Sequence, residues 1–535
     1  MLHFISSWYK EDNWSESEQV WYIRRMHTEF DDTVKQIQLF HRNKIYEYRI
    51  LLLHFAPNFR HFLHRQGVFH APYWSVFDAI AQVRRRKAVV LSFHNLNWPP
   101  SIEFVYNPYN VQAYLSGEKY AKVGFGEDGN PIQVDLYRHN SVIRRNIYDD
   151  RGFVAASVVF NNGLKHYQDY LLENGTWALR HFYDDGHVEV NPKCGSYLIS
   201  SNGRDELIPY KKEVYASMDE IIAEVLLSYV VRLSDEDIFC VAMHRRHEEI
   251  LSKCLKGKKT VLSFFGDRYD IASCDGSSGL IRESGCIIVD SKANLKRIRS
   301  KQGFRNKEII NITPYDSRVD FGISQQMSVH KIMVPVDNMD LKSLESLIIA
   351  LATYLDRNDN SEIHLFTRNE GAELAKEYLK TTESVLRDAF FEPGWAVKEE
   401  ATELAVNENI DIAEESKNVP IRFFVDQCVD ELSVSRFMRE QRVMVDMREH
   451  SDLYLQISCI SMGIPQIVRE SSEYVTHEGN GLIIPDMRTL PDALDYFLNG
   501  LAHWNDALIY SYELGRQYTT DVLMKKWKGV IERLE

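Results

Sequence analysis

Glycines at positions 152, 163, 175 and 186 stand 11, 12 and 11 residues apart. Three of them close the pairs Asn162-Gly163, Asn174-Gly175 and Asp185-Gly186, and Asp128-Gly129 adds a fourth pair upstream. Asn-Gly and Asp-Gly take positive φ at both turn positions, which joins twisted strands tightly. Between the glycines lie runs of alternating character at 152–160, 165–172 and 177–183. A helix tolerates neither the glycine spacing nor the alternation. An eight-residue strand spans about 26 Å. Residues 101–207 are therefore predicted to form an antiparallel meander of at least four strands.

The period changes on both sides of that segment. Residues 2–6, 48–55, 88–93, 238–243, 260–265 and 286–290 read as short buried strands, and 29–42, 218–231, 248–255 and 292–301 as helices. A second block follows an irregular, linker-like piece at 315–328. There strands at 331–336, 362–367, 421–427, 443–447 and 465–468 alternate with helices at 341–355, 371–379, 432–441 and 453–462. Residues 382–418 read as helical or irregular and acidic, and 490 onward as mostly helical. Strands alternating with helices of 10 or more residues make parallel βαβ units. The expected fold is α/β: two Rossmann-like domains with an inserted antiparallel β-sheet. The expected boundaries are 1–100 plus 208–320 for the first domain, 101–207 for the insert and 321–510 for the second domain. A carboxyl-terminal helix at 511–535 is expected to cross back to the first domain. A ligand of such a fold sits at the carboxyl ends of the strands.

The totals exclude several classes. The 535 residues carry 63 basic and 77 acidic side chains, a net charge of −14. Such a chain is repelled by nucleic acid and by anionic membranes on average. The basic runs at 84–87 and 256–259 are expected on solvated faces. No apolar run approaches the ~18 residues that span a bilayer. The first eight residues lack a basic leader and read as a strand. The seven cysteines include no Cys-x-x-Cys pair, which suits a reducing compartment and gives no zinc spacing. The expected location is the cytoplasm, with no metal and no cofactor.

One stretch points to a site. Gly463-Ile464-Pro465, the strand Gln466-Ile467-Val468, then Ser472, Glu473-Tyr474-Val475 and Asn480-Gly481-Leu482-Ile483 resemble the donor side of retaining glycosyltransferases with the B-type fold. Gly463 ends a helix and Pro465 prevents its continuation. The loop 469–472 is expected to lead into a helix start whose N–H groups face a phosphate. In that family two glutamates lie eight positions apart, the second five residues before the glycine. Those positions are occupied here by His450 and Ser458, with Glu449 one residue out of register. A carboxylate accepts from both ribose hydroxyls with charge-assisted strength, and a serine does not. The family's basic residue behind the first strand of this domain meets Val336-Asp337-Asn338-Met339-Asp340-Leu341-Lys342, in which two aspartates repel a diphosphate.

The first half supplies no acid–base pair in compensation. His94 follows an expected strand and reads as structural. His244 and His247 lack a third ligand at suitable spacing and read as surface. The 260–265 strand ends in Phe264-Phe265-Gly266-Asp267, where a catalytic histidine would be sought.

Three further phrases narrow the resemblance: Tyr454-Leu455-Gln456-Ile457-Ser458 running into Gly463, Thr313-Pro314-Tyr315-Asp316-Ser317-Arg318, and Trp504-Asn505. With them the whole chain resembles the accessory Sec system family designated Asp, number one. That resemblance implies a non-catalytic, glycosyltransferase-like export factor for a serine-rich-repeat glycoprotein adhesin. The implied partners are two sibling accessory proteins, the accessory Sec motor ATPase and the glycosylated adhesin, with the membrane met only through the translocase. His450, Ser458, Gly463, Pro465, Ser472, Glu473 and Gly481 are then vestigial donor-cleft positions. The meander resembles the extended sheet of the glycosyltransferases that modify such adhesins. Its aromatics Tyr148, Tyr167, Tyr170, Trp177, Phe182 and Tyr183 form an expected partner or glycan surface. The alternative is an active retaining protein O-glycosyltransferase using a UDP-sugar.

Overall fold

The structure is a computed structural model that describes residues 1–9, 14, 30–85, 87, 89–201, 203–274, 276–396 and 419–535. The chain divides into two compact units. One comprises Met1–Asp290, Asn294–Pro314 and Trp527–Glu535; the other comprises Ser291–Ala293 and Tyr315–Lys526.

The first unit opens with β1 (Leu2–Ile5), α1 (Asp32–Asn43), β2 (Tyr48–Leu52), α2 (Phe59–Arg65), β3 (Tyr73–Ser75) and α3 (Val76–Ile80). The insert holds β4 (Ile102–Tyr106), β5 (Asn110–Leu115), β6 (Glu118–Phe125), β7 (Pro131–Arg138), β8 (Ser141–Asp149), β9 (Phe153–Asn161), β10 (Leu164–Leu171), β11 (Trp177–Phe182), β12 (Val188–Val190), β13 (Ser196–Ser201), β14 (Arg204–Pro209) and β15 (Val214–Tyr215). The α/β rhythm then returns with α4 (Met218–Val230), β16 (Ile238–Ala242), α5 (Arg245–Cys254), β17 (Lys259–Phe264), α6 (Gly279–Glu283), β18 (Cys286–Val289), α7 (Lys292–Arg299) and β19 (Ile309–Asn311).

Seven of these strands form a parallel sheet in the order β19-β18-β17-β16-β1-β2-β3. Every residue of β1, β16 and β18 is buried. Helices cover both faces of such a sheet, so its strands read as continuous apolar runs. Trp527, 1% exposed, packs its ring against Phe4 and Phe40.

The meander is larger than its turn signals indicate. Ten strands run in the order β15-β12-β11-β10-β9-β8-β7-β6-β5-β4, and β13 and β14 make a separate hairpin. The undercount arises because the β4–β5 turn, Asn107-Pro108-Tyr109-Asn110, and the β5–β6 turn, Ser116-Gly117, lack the Asn-Gly or Asp-Gly form.

The expected strand at 88–93 is not formed, and residue 88 lies outside the described residues. Val89 and Val90 are exposed, and Phe93–Asn95 is a single 3-10 turn. This apolar run packs instead on the outer half of the ten-stranded sheet. There Leu91, Phe93, Leu96 and Trp98 contact a small core of Val111, Ala113, Ala121, Val123, Val134 and Tyr148. The third strand of that region is β3, whose three residues are too short to show a period.

The second unit contains β20 (His330–Pro335), α8 (Leu341–Leu355), β21 (Ser361–Thr367), α9 (Ala372–Asp388), β22 (Phe423–Gln427), α10 (Glu431–Met438), β23 (Gln441–Asp446), α11 (Leu453–Met462), β24 (Gln466–Val468), β25 (Gly481–Ile483), α12 (Leu490–Leu498), α13 (Ala502–Gly515) and α14 (Thr520–Glu532). Its sheet is parallel in the order β22-β21-β20-β23-β24-β25. Ile332, Val334, Leu365, Val443, Val445 and Ile467 form the middle of its core with Leu347, Leu351 and Leu494. The part of the 382–418 reading beyond residue 396 lies outside the described residues. The 315–328 segment is docked and is not a free linker. Asp320 and Gly322 donate to the carbonyls of Ser461 and Met462, and Ile323 donates to that of Arg439.

Candidate functional site

The carboxyl ends of β20, β21, β23 and β24 lie on one side of the parallel sheet. Of the expected donor-type positions, His450 follows β23 and Ser472 and Glu473 follow β24, whereas Gly463, Pro465 and Gly481 lie at the amino ends of β24 and β25. Helix α11 follows β23, as a βαβ unit requires. Gly463 ends it at φ 71°, and a Cβ there would lie 2.9 Å from Leu508. Pro465 begins the buried return into β24, and its carbonyl accepts from the Met444 N–H at 3.0 Å. Gly481 allows β25 to approach β24: a Cβ would lie 2.3 Å from the Gln466 carbonyl oxygen.

The polar groups at these strand ends are bound to one another. Asp452 is the N-cap of α11. One of its oxygens accepts from the N–H groups of Tyr454 at 2.9 Å and Leu455 at 3.3 Å, and the other lies 2.8 Å from the Arg368 guanidinium. Arg448 forks onto Asp446, with two contacts of 2.8 Å. Burial opposes the Arg448 charge, but the Asp446 carboxylate outweighs it and holds the guanidinium ionised. Asp337, behind β20, accepts from the Thr367 hydroxyl, from the Arg368 N–H at 2.8 Å and from the Asn369 amide at 3.0 Å.

Ser458 donates its hydroxyl to the Tyr454 carbonyl at 2.7 Å, one turn back in the same helix. His450 is exposed in the loop before α11. Ser472 donates to Gln456 at 2.8 Å and accepts from the Tyr474 N–H at 3.1 Å. Glu473 is 9% exposed, and its carboxylate accepts from the Lys292 N–H at 2.9 Å, within the same compact unit. The helix start expected after 469–472 is absent. Residues 470–480 form turns with isolated bridges, because Asn480 binds back to the Tyr474 carbonyl and the Thr476 N–H and closes the loop on itself. The anion-facing N-terminus therefore belongs to α11, and Asp452 occupies it. Sequence reasoning passed over Asp452, Arg368 and Arg448. The available signal was an aspartate directly before the helix at 453, the residue type that caps helices.

In the first unit the strand ends are also filled from within. Arg268, just past β17, pairs with Asp32 at 2.5 Å and Asp31 at 3.1 Å. Asp31 caps α1 and accepts from the Trp8 indole at 2.9 Å. Burial, with Asp32 beside it, pushes the Asp31 carboxyl up to about 6. His247 is fully buried, contrary to the surface reading. It turns inward because α5 presents Ile250, Leu251 and Cys254 to the core on the same side. The Tyr9 hydroxyl meets its Nδ1 at 2.7 Å, and burial drives the His247 pKa well below the usual range. His94 is exposed, and its ring lies tilted against that of Phe93 at 3.9 Å between centroids. All seven cysteines are free. Among the described residues one cluster places three metal-ligating side chains together, Asp184, Asp185 and His187. It lies on an exposed turn, where Asp185 takes up Nδ1 of His187 at 2.5 Å.

On the inserted sheet, Tyr148 and Tyr170 leave the expected surface, at 7% and 6% exposure. They face inward on their strands, and Tyr170 packs against Phe55 and Phe77. Tyr167, Trp177 and Phe182 are half-buried, and Tyr183 is exposed. Arg180 lies over the rings of Tyr167 and Trp177, at 4.2 and 4.8 Å, and pairs with Asp169 at 2.7 Å.

Two α/β units with parallel sheets, and an antiparallel sheet inserted in the first, define a glycosyltransferase-like fold. The pneumococcal O-GlcNAc transferase GtfA, solved with UDP and GlcNAc, shares this fold at a TM-score of 0.70 and 10% identity, over 100% of this chain and 98% of that one. The profile of the family described as accessory Sec system protein Asp, number one, matches residues 1–533, and the chain belongs to that family. The protein of that name from Streptococcus gordonii is 30% identical over 534 residues, 99% of this chain and 98% of the relative. The structure of accessory secretory protein 1,2 and 3 in Streptococcus pneumoniae contains a chain similar at 27% identity and a TM-score of 0.80, covering 100% of this chain and 99% of that one.

Proposed function

We propose that this protein works without transferring sugar, as a cytoplasmic accessory Sec component that assembles with two sibling accessory proteins and helps deliver a glycosylated serine-rich-repeat adhesin to the accessory Sec motor. One observation carries the non-catalytic reading. The two groups a donor nucleotide needs from α11 are already spent: Asp452 accepts from the helix N-terminus, and Ser458 donates to its own helix. A diphosphate would have to displace a carboxylate held by Arg368. The assembly follows from the family and from the pneumococcal structure of accessory secretory protein 1,2 and 3. No helix among the described residues is long and apolar enough to cross a membrane.

The half-buried group of Tyr167, Trp177, Phe182 and Arg180 supports the glycan or partner surface of this reading, with the exposed Tyr183 beside it bound to Gln168. Flat rings beside fixed hydrogen-bonding groups suit the apolar and polar faces of a sugar. Calorimetric titration with UDP-sugars tests the central claim. No heat at millimolar donor is expected, and micromolar binding with turnover overturns it. In cells lacking the gene, adhesin is expected to stay glycosylated but retained; unglycosylated adhesin counts against the reading.

A further inference from the structure

Strand β4 ends the ten-stranded sheet, and among the described residues no segment pairs with its outer side. The direction of its hydrogen bonds follows from the adjoining turn. Asn107 donates to the Asn110 carbonyl, so these opposed residues form a hydrogen-bonded pair. Pairs alternate along an antiparallel ladder. Val105 with Gln112 and Glu103 with Tyr114 are then bonded, and the N–H and C=O groups of Ile102, Phe104 and Tyr106 point outward.

Natural sheets blunt such edges by shortness, charge, proline or bulges. The other outer edges here are short, charged or without exposed apolar side chains. β3, β15, β19 and β25 have three residues or fewer. β14 carries Arg204, Asp205 and Glu206, and neither β13 nor β22 exposes an apolar side chain. β4 has five residues, an unbroken register and a single charge, Glu103. Val105, Tyr106 and Tyr109 are 51%, 61% and 52% exposed. Phe104 packs edge-on against Phe93 at 5.4 Å and Trp98 at 5.5 Å, which extends a half-covered aromatic layer to the open edge.

We infer that β4 accepts one antiparallel strand from a companion accessory protein. The strand presents apolar residues on the Phe104 side and a lysine or arginine opposite Glu103. On the outer side Glu103 falls in the close, non-hydrogen-bonded pair position, where a cross-strand charge acts most strongly. A second copy of this chain does not supply that cation. Self-pairing centred on Phe104 sets Glu103 against Val105, and self-pairing centred on Glu103 sets two carboxylates together. The inference rests on the proposed assembly with companion proteins.

The test is hydrogen exchange on the full chain, alone and mixed with its two companion proteins, read over residues 102–106. Amides of Phe104 and Tyr106 are expected to exchange fast in the free chain and at least tenfold more slowly in the complex. Tyr106→Pro removes one outward donor without touching the β4–β5 bonds. It is expected to weaken companion binding about tenfold, the scale of one lost hydrogen bond. Glu103→Lys is expected to weaken binding by reversing the charge, with the melting temperature of the free chain unchanged. A complex that forms with 102–106 unprotected overturns the inference and leaves the assembly standing. Protection that rises with the concentration of this chain alone overturns it in favour of self-pairing. Failure of any complex to form removes the assembly and the inference with it.

Discussion

Arg368 and Asp452 lie 2.8 Å apart in the second unit, and the same aspartate caps helix α11. The pair settles how the N-terminus of that helix is used. Its free N–H groups and partial positive charge attract an anion, and here the anion is a side chain of the protein.

Replacing Asp452 by alanine therefore removes a cap and leaves Arg368 without its carboxylate. Loss of a cap costs about 0.5–2 kcal/mol. Asp452→Asn keeps the acceptor oxygen and loses only the charge. The expected order of stability in urea unfolding is wild type, then Asp452→Asn, then Asp452→Ala. Equal midpoints for all three would show that neither interaction matters.

The buried triad of Arg268, Asp31 and Asp32 gives a larger effect. Asp32 is 2% exposed, and its oxygens meet the guanidinium and the Ser263 hydroxyl, each at 2.5 Å. Removing one partner of a buried pair strands the other charge, at roughly 3–5 kcal/mol. Arg268→Met is expected to lower the unfolding midpoint of the chain by far more than Arg297→Met, whose guanidinium pairs with Asp267 on the surface. Surface pairs contribute about 0–1 kcal/mol. Similar midpoints for the two variants would contradict the assignment.

Much of the fold was legible because periodicity reports burial. Helices α8 and α11 fall at the ranges expected from spacing, since both are dense in apolar residues that the core covers. The run at 88–93 misled because apolar character does not say what covers it: Leu91 and Phe93 lie on the inserted sheet and not in the parallel one, and Val89 and Val90 are exposed. In the site, Gly463 and Gly481 were legible as glycines. The reason for Gly481, the approach of the Gln466 carbonyl, comes from a strand pairing that spacing does not reveal. Arg368 and Asp452 lie 84 positions apart in sequence, and only the parallel sheet brings the ends of β21 and β23 together.

Asp150 predicts a dependence on pH. It sits in the turn between β8 and β9 and accepts from the Arg60 and His61 N–H groups at 2.8 and 3.0 Å, at the start of α2. Burial, and then Asp149 beside it, push its carboxyl up to about 7. The folded chain thus holds a proton that the unfolded chain, with an ordinary carboxyl near pH 4, releases. Stability falls as pH rises between those values, because the folded state binds more protons there. Asp150→Asn keeps an acceptor for the helix N–H groups and removes the titration. Its unfolding free energy is expected to decline less between pH 4 and 7 than that of the wild type. An unchanged slope in urea titrations across that range would refute the assignment to Asp150.

The last prediction concerns restoring an acid. Ser458→Glu returns a carboxylate to the position that grips ribose in the glycosyltransferases this chain resembles. The geometry argues that this change alone brings no nucleotide binding. Position 458 lies on α11, and the N-terminus of that helix remains bound to Asp452. Asp337 and Asp446 also stay at the neighbouring strand ends, where they hold the N–H of Arg368 and the guanidinium of Arg448. A diphosphate carries about two negative charges into that region and meets three carboxylates, whose arginine partners are already engaged. Calorimetry of Ser458→Glu with UDP is expected to match the wild-type baseline. Combining it with Asp452→Ser, which keeps a cap but removes one carboxylate from the helix N-terminus and from Arg368, is expected to give the first measurable heat. Micromolar UDP binding by Ser458→Glu alone would show that the missing acid, and not the occupied helix terminus, is what keeps the nucleotide out.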